Sequence, residues 1–600
     1  MRDDELLQRW FLTGAERGND ATRLPAWSRG NRVRPLVDGA TYFPALAAAL
    51  DATGPGDLVL FADWQGDPDQ RLTERGPTIA EALTAAARRG AVVKGLVWRS
   101  PREWQRLVPT RRRHLAQRVR GGAQVVLDQR VRNSGSHHQK FIVIRHAGRP
   151  DDDVAFVGSL DPAHSRRDDS AHLGDPQPLA FGKAYGSHPS WHDVHAEVRG
   201  PAVADVETVF RERWEDRAPL SLLPWQVFGD LLRRAVRRLL HRPVPLPPPL
   251  PAPVAGTGGS CAVQLLRTYP PRRPRYPFAP EGEFSIAAGH AKALRRARRL
   301  VHVEEQFLWS RQVVQVFADA LRAAPGLQLV VLLPREPKRG GIAAPPLVLG
   351  QVHALRLLRA AGGDRVHVFD LENHDGEPVY VHSKVTVVDD VWACVRSDNL
   401  NRRSWTHDSE LSVAVLDEVR DRREPVDPAG LGDGARRFAR ELRLQLVREH
   451  LDRGTPAVAT PGTPTSSTPT AQWTRCAAAP RRSTPGTTAA AGALALPGGC
   501  ASTATRSSRA GSGSSRHPST GSSSTRRRPA TADPGAGPAR RRPVPGSEHL
   551  PAAALPARWP GRQHRTFHRP APCPRACGVA RRSSRDGRSP VRRGRGAAAG

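Results

Sequence analysis

Cysteine is scarce: the 600-residue chain has six, and only Cys261 and Cys394 lie before residue 456. Nothing near either has metal-ligand spacing, so both read as core thiols of a protein kept in a reducing compartment. Long apolar runs are also lacking. None approaches the roughly 18 residues that a membrane-spanning helix needs, so any membrane contact is expected to be peripheral. The opening MRDDELLQRWFLTG is acidic and mixed, without the basic and apolar regions of a signal peptide. These absences point to a cytoplasmic location. Residues 456–600 lack lysine altogether and hold three acids against 24 Arg. They carry about +21 of the formal net charge of +33, which leaves about +12 for the first 455 residues. That moderate excess suits a polyanionic substrate or an anionic lipid surface and does not choose between them.

What is present is enough chain for two or three domains. Residues 1–40 form a mixed, charged N-terminal segment. From Thr41 short apolar strands alternate with helices: helix at Tyr42–Leu50, strand at Asp57–Trp64, helix at Thr78–Arg89, strand at Ala91–Trp98, helix at Arg111–Val119 and strand at Ala123–Leu127. A first lobe over 41–242 closes with a basic amphipathic segment, 221–242, which reads as a helix packed on the core or one lying on an anionic membrane. Residues 243–259, PVPLPPPLPAPVAGTGG, are a Pro- and Gly-rich linker. The pattern restarts in a second lobe, 260–455, which makes the chain an internal duplication of α/β class with a mixed sheet in each lobe. The remaining 456–600 show no period of 2 or 3.6. They read as a disordered basic tail or as an out-of-frame translation of GC-rich coding sequence.

Two stretches carry chemistry. His382-x-Lys384 precedes an apolar run and Asp389, then Ser397-Asp398-Asn399, with Glu410 closing the stretch. About 240 residues earlier, His138-x-Lys140 precedes Phe141–Ile144 and Gly158-Ser159-Leu160-Asp161. On a strand, the period of two puts the His and Lys of each pair on one face. A single His-x-Lys arises by chance. Two, at corresponding places of a duplicated chain, do not read as solvated strand edges.

This double pattern resembles the phospholipase D superfamily, whose motif is HxKxxxxD followed by GSxxN or a GG-type variant. The likeness covers roughly residues 35–450. It includes Ser165–Asp169, Trp191–Ala202 and Val303–Trp309, which are similar to the lipid-acting members. The resemblance implies two lobes related by a pseudo-twofold with the site between them. Two positions depart from the motif: Arg145 stands at the first motif acid, and Arg396 at the Gly before Ser397. If that glycine position needs positive φ or close approach to phosphate, Arg396 costs stability or blocks substrate.

By the resemblance, His138 is the nucleophile and His382 the general acid and base, with Asp389 a supporting member of the catalytic set. Lys140, Lys384, Ser159, Ser397 and Asn399 hold the phosphate. Asp193 orients His138 and Glu410 orients His382. His137 points away by alternation, and Glu304, Glu305 and Gln306 end a strand that lines the site. Two lysines and hydrogen-bond donors neutralise the phosphoryl oxygens, and two histidines supply nucleophile and proton, so no cofactor and no metal is expected. The implied activity hydrolyses glycerophospholipids to phosphatidic acid, or transfers phosphatidyl groups to alcohols as a cardiolipin synthase does. Expected partners are phospholipid, water or an alcohol acceptor, and an anionic membrane surface, for a monomeric protein. The alternatives are a nuclease of the same superfamily and a catalytically inactive phospholipid binder. Against the nuclease, no aromatic-and-basic stacking platform is visible in the sequence.

Overall fold

The structure, a computed structural model, describes residues 3–100, 115, 118–226, 243–254, 259–336 and 344–452, and two short strands at 494–496 and 500–502. All lie in one compact unit, residues 1–515.

Runs of Val, Ile, Leu and Phe become strands. The first half contributes β1 (Ser28–Val37), β2 (Leu58–Asp63), β3 (Val92–Trp98), β4 (Gln124–Asp128), β5 (Phe141–Arg145), β6 (Val154–Gly158), β7 (Trp191–His192) and β8 (Val194–Arg199). The second contributes β9 (Cys261–Tyr269), β10 (Glu283–Phe284), β11 (Leu300–Glu304), β12 (Gln328–Leu332), β13 (Val366–Glu372), β14 (Pro378–Val381), β15 (Val385–Val388), β16 (Trp392–Arg396) and β17 (Glu410–Asp417). In the first half β4, β3 and β2 run parallel, and β5, β6, β8 and β1 follow antiparallel. The second half repeats that order as β13, β12, β11, then β15, β16, β17 and β9. β1 and β9, equivalent strands of the two halves, pair antiparallel with each other. The result is one large mixed sheet whose halves correspond strand for strand.

Period-two alternation sets the layers. Leu58, Leu60 and Ala62 face a core shared with Val385, Val387, Val413 and Val415 of the other half. Val59 and Phe61 face the opposite way, into a core with Phe43, Leu46 and Leu83 from the helices Gly39–Asp51 and Ile79–Arg88. Burial on both faces explains why these strands read as continuous apolar runs. Each fully buried Leu or Val stabilises the fold by about 1.5–3 kcal/mol. Thr78 starts its helix with a capping box: its hydroxyl accepts from Glu81 N while the Glu81 carboxylate accepts from Thr78 N.

The lobe boundaries differ from a division at residue 41. β1 already belongs to the first half's sheet, and the helix Asp3–Trp10 packs Leu6, Leu7 and Trp10 against Ile286 and Leu294 of the second half. The Pro-rich stretch is strapped down. Trp214 Nε1 donates to Val244 O at 2.8 Å, and Arg145 donates to Leu250 O and, at 2.6 Å, to Pro251 O.

Arg145 is fully buried and also pairs with Asp153 and Glu207. At the equivalent place in the second half, Asp389 accepts from the backbone N–H groups of Arg298, Arg299 and Leu300, at the start of β11. The first half makes the same junction in reverse. Asp57, just before β2, accepts from Ala147 N and lies 2.8 Å from His146 Nδ1, both just after β5.

Residues 227–242 of the amphipathic segment expected over 221–242, and most of the helix expected at Arg111–Val119, lie outside the described residues. So does the stretch 456–600, except for Leu494–Leu496 and Cys500–Ser502, which form a hairpin alongside β13. Among the described residues no helix is long and apolar enough to cross a membrane.

Candidate active site

The two His-x-Lys triplets occupy the links just before β5 and β15 rather than the strands themselves. Each is planted on the opposite half. His382 N and Ser383 N both donate to His192 O, at 2.8 and 3.1 Å. His138 N donates to Ser409 O at 2.9 Å, and Ser409 N donates to Ser136 O at 2.9 Å. Because His192 precedes Asp193 and Ser409 precedes Glu410, each triplet meets the other half's carboxylate.

The imidazole–carboxylate pairs are therefore the reverse of the sequence expectation. His138 Nδ1 lies 2.9 Å from Glu410 Oε1, and His382 Nδ1 lies 2.7 Å from Asp193 Oδ2. The expectation drawn from the resemblance pairs residues within a lobe, whereas the backbone bonds across the lobe interface cross them. The serines also differ from expectation. Ser159 Oγ donates to Asp193, and Ser397 Oγ donates to Glu410 at 2.6 Å, so each serine holds the carboxylate of its own half. Lys140 Nζ donates to His138 O and Lys384 Nζ to His382 O, at 3.1 and 2.6 Å. Asp389, expected in the catalytic set, caps backbone about five residues, roughly 16 Å of strand, beyond Lys384.

His137 is fully buried, with Ser409 Oγ 3.5 Å from its Nδ1. Glu305 accepts from Arg396 and Leu400 N, while Glu304 turns toward His192 and His450. Arg396 is wholly buried in β16, outside the left-handed region, donating to Asp398 O at 2.9 Å and to Glu305 at 3.1 Å. It needs no glycine-like backbone, and its guanidinium is turned to Asp398 and Glu305. The register explains the exchange. Gly158 sits opposite His195 and Arg396 opposite Ser412. A Cβ at Gly158 would come 2.7 Å from the backbone atoms His195 Cα and Val194 O, so strand β8 runs too close there for a side chain, whereas β16 carries the Arg396 side chain opposite Ser412.

His138, His382, Asn399 and Asp161 all line one cleft of about 2170 Å³. Asp161, at the place of Asn399, lies 3.8 Å from Lys140 and 4.0 Å from Arg166. Arg166 lines the cleft and lies with its guanidinium 3.8 Å from the centre of the Trp191 ring. The sequence reading missed Arg166, although the run containing it was noted. It also missed two aromatic pairs on the cleft wall: Trp64 stacks on Trp98 at 5.7 Å, and Phe307 on Trp309 at 4.2 Å. Arg130, Arg132 and Arg272 line the same cleft, so aromatic and basic residues from distant stretches share its wall.

Electrostatics separate the two dyads. Burial, followed by the charges of Lys140 and Lys384 respectively, holds His138 and His382 well below the usual imidazole range, which favours the neutral rings. Burial alone would raise Asp193, but His382, Lys384 and the Ser159 hydroxyl outweigh it and keep the carboxylate ionised. Burial dominates at Glu410 and pushes it up to about 7. Lys384 is brought down to about 8 by burial, despite the raising influence of Asp193 and Glu305.

The sequence pattern of the family described as Phospholipase D matches residues 111–228. Phospholipase D alpha 2 of Oryza sativa subsp. japonica is 24% identical over 438 residues, covering 55% of this chain and 50% of the plant protein. Phospholipase D1 of Saccharomyces cerevisiae is 24% identical over 507 residues, covering 69% of this chain and 28% of the yeast protein. Cardiolipin synthase A of Pseudomonas aeruginosa is 24% identical over 417 residues, 66% of either chain. The match thus spans about half of the rice protein and little over a quarter of the yeast one. A phosphatidylserine synthase of Haemophilus influenzae aligns in structure with a TM-score of 0.44 at 14% identity, over 71% of this chain and 89% of that one.

Proposed function

Because the chain belongs to the phospholipase D superfamily, we propose that it breaks the phosphodiester bond of glycerophospholipids through a phosphohistidine and passes the phosphatidyl group to water or an alcohol. The observation that carries this reading is the crossed pair of dyads: two imidazoles on one cleft, each backed by a carboxylate of the opposite lobe.

His138 Nε2 attacks phosphorus, its Nδ1–H held by the Glu410 carboxylate. A P–N bond forms as the P–O bond to the head-group alcohol breaks. His382 gives that leaving oxygen its proton. It then takes a proton from water or an acceptor alcohol, whose oxygen attacks phosphorus and breaks the P–N bond, freeing His138. Ionised Asp193 suits His382 to this work, since it stabilises the ring while doubly protonated. The bound phosphate adds negative charge that offsets Lys384. Lys140, Lys384, Arg166 and Asn399 neutralise the phosphoryl oxygens as charge builds in the transition state. Asp193, Glu410, Ser159 and Ser397 are the positioning shell, and Asp389 is structural. Leu222, exposed at the cleft rim, and exposed Trp225 support contact with a lipid surface.

A second reading, a nucleic-acid phosphodiesterase, draws on the stacked Trp64–Trp98 and Phe307–Trp309 pairs among cleft arginines. One experiment separates the two. The full chain is incubated with mixed phospholipid vesicles, with and without a primary alcohol, and products are followed by mass spectrometry. Phosphatidic acid that gives way to phosphatidyl-alcohol on adding alcohol is expected. His138→Ala should give neither product nor covalent phosphoenzyme, and full activity there would refute the nucleophile. Silence on every phospholipid with cleavage of single-stranded DNA or RNA would establish the second reading.

A further inference from the structure

Three histidines, His172, His192 and His450, and four acids, Asp38, Asp168, Glu304 and Glu449, that the mechanism does not use meet beside the Trp191–Asp193 segment. They come from stretches far apart in sequence, which is why no local spacing announces them. We propose that Asp38, His172, His192 and Glu449 bind one divalent transition-metal ion, zinc first among them, as a structural site.

The donor atoms are already grouped as such a site requires, all within 4.8 Å of one another. His192 Nδ1 lies 3.0 Å from Asp38 Oδ1 and 3.2 Å from Glu449 Oε1, and His172 Nε2 lies 3.7 Å from the same Glu449 oxygen. Four ligands at 2.0–2.1 Å around a tetrahedral ion are separated by about 3.3 Å. Two imidazoles with two carboxylates form the N/O donor set that suits zinc and its neighbours rather than calcium or magnesium. Two carboxylates also balance the charge of a dication while both imidazoles stay neutral.

The surrounding shell fits the same assignment. A ligating imidazole offers its other N–H to a carboxylate, which fixes its tautomer. His192 Nε2 lies 3.0 Å from Glu304 Oε2, and Glu304 is held in turn by His450 Nε2 at 2.7 Å. His172 Nδ1 faces Asp168 Oδ2 at 3.9 Å. Glu449 Oε1 is buried yet makes no well-formed hydrogen bond, which leaves it available as a ligand. Asp38 and His172 are both held at positive φ, 60° and 53°, to bring their side chains in.

Such an ion would tie the end of β1, the 172 loop, β7 and the closing helix Arg437–His450 into one knot. The test does not depend on turnover. The full chain is produced in zinc-supplemented medium, and bound metal is measured by plasma mass spectrometry after dialysis. About one equivalent is expected, with loss in His172→Ala and Glu449→Gln and retention in His374→Ala, an exposed histidine control. Stripping with a chelator should lower the melting temperature by several degrees. Cobalt added to stripped, unsubstituted protein should give the visible bands of a tetrahedral site, so the test survives a variant that fails to fold. No stoichiometric metal, no cobalt bands and a melt indifferent to chelator would overturn the proposal and leave a proton-neutralised ion-pair cluster. Metal retained in both His172→Ala and Glu449→Gln would overturn it equally.

Discussion

His382 Nδ1 lies 2.7 Å from Asp193 Oδ2, a carboxylate 189 residues earlier and in the other lobe. The same oxygen accepts from Trp191 Nε1 at 3.0 Å, and the other accepts from Ser159 Oγ and Val194 N. The carboxylate is therefore fixed before it fixes the ring. Asp193→Asn keeps the shape and removes the charge that stabilises doubly protonated His382. A loss of about 10²–10⁴ in kcat is expected, with KM little changed and the melting curve close to that of the parent. Within-lobe pairing would instead make Asp193→Asn impair formation of the phosphohistidine on His138 while leaving its hydrolysis intact. Rapid-quench measurement of the two half-reactions tells these apart.

Glu410 and Lys384, the two site groups whose shifts bring them close to neutral pH, shape the pH profile there. Glu410, up at about 7, orients His138 Nδ1–H only when ionised, so kcat/KM should rise with pH through about 7. Lys384, down at about 8, neutralises phosphate only while protonated, so kcat/KM should fall as pH passes about 8. The expected profile is a narrow bell between them. Glu410→Gln should remove the acid limb and lower the plateau, and Lys384→Arg should move the alkaline limb upward. An acid limb that persists in Glu410→Gln would assign it to another group.

What could be read from the sequence follows from the range of the interactions. The duplicated α/β order was legible because burial on both faces writes unbroken runs such as LVLFAD and FIVIR. The two His-x-Lys triplets and both carboxylates were legible as residue types. Their crossed pairing was not, because it depends on His192 O and Ser409 O reaching the opposite lobe's backbone. Arg166 and Trp64 were missed for the same reason: each enters the cleft from a loop whose direction only tertiary packing sets, and Trp64 there meets Trp98 at the end of β3. Arg396 looked like a defect because its partners, Glu305 from the end of another strand and Asp398, are set by tertiary packing.

That exchange makes restoring the motif glycine harmful. Arg396 is wholly buried between Glu305 and Asp398. Arg396→Gly leaves both carboxylates in the interior without their cation, a loss of about 3–5 kcal/mol. Thermal or denaturant unfolding should show it directly, together with a drop in the amount of folded enzyme. An Arg396→Gly variant as stable as the parent would mean that the guanidinium is not the partner these acids depend on.

Asp161 offers the opposite case, a residue whose replacement should improve the enzyme. It lines the cleft where the second lobe has neutral Asn399. It lies 3.8 Å from Lys140 and 4.0 Å from Arg166, spending on itself positive charge that a bound phosphate would otherwise receive. One of its carboxylate oxygens, Oδ1, is buried without a hydrogen bond. Asp161→Asn removes a negative charge beside the substrate's own and frees both cations. Discounting the bare Coulomb energy for the two cations already present, a gain of about 1–2 kcal/mol, or roughly 5- to 30-fold in kcat/KM, is expected. The gain should appear mainly as a lower KM and should shrink as salt is added, since it is electrostatic. If activity falls instead, with the fold intact, Asp161 is needed to hold Lys140 in place, and a lower kcat with KM unchanged would be its signature.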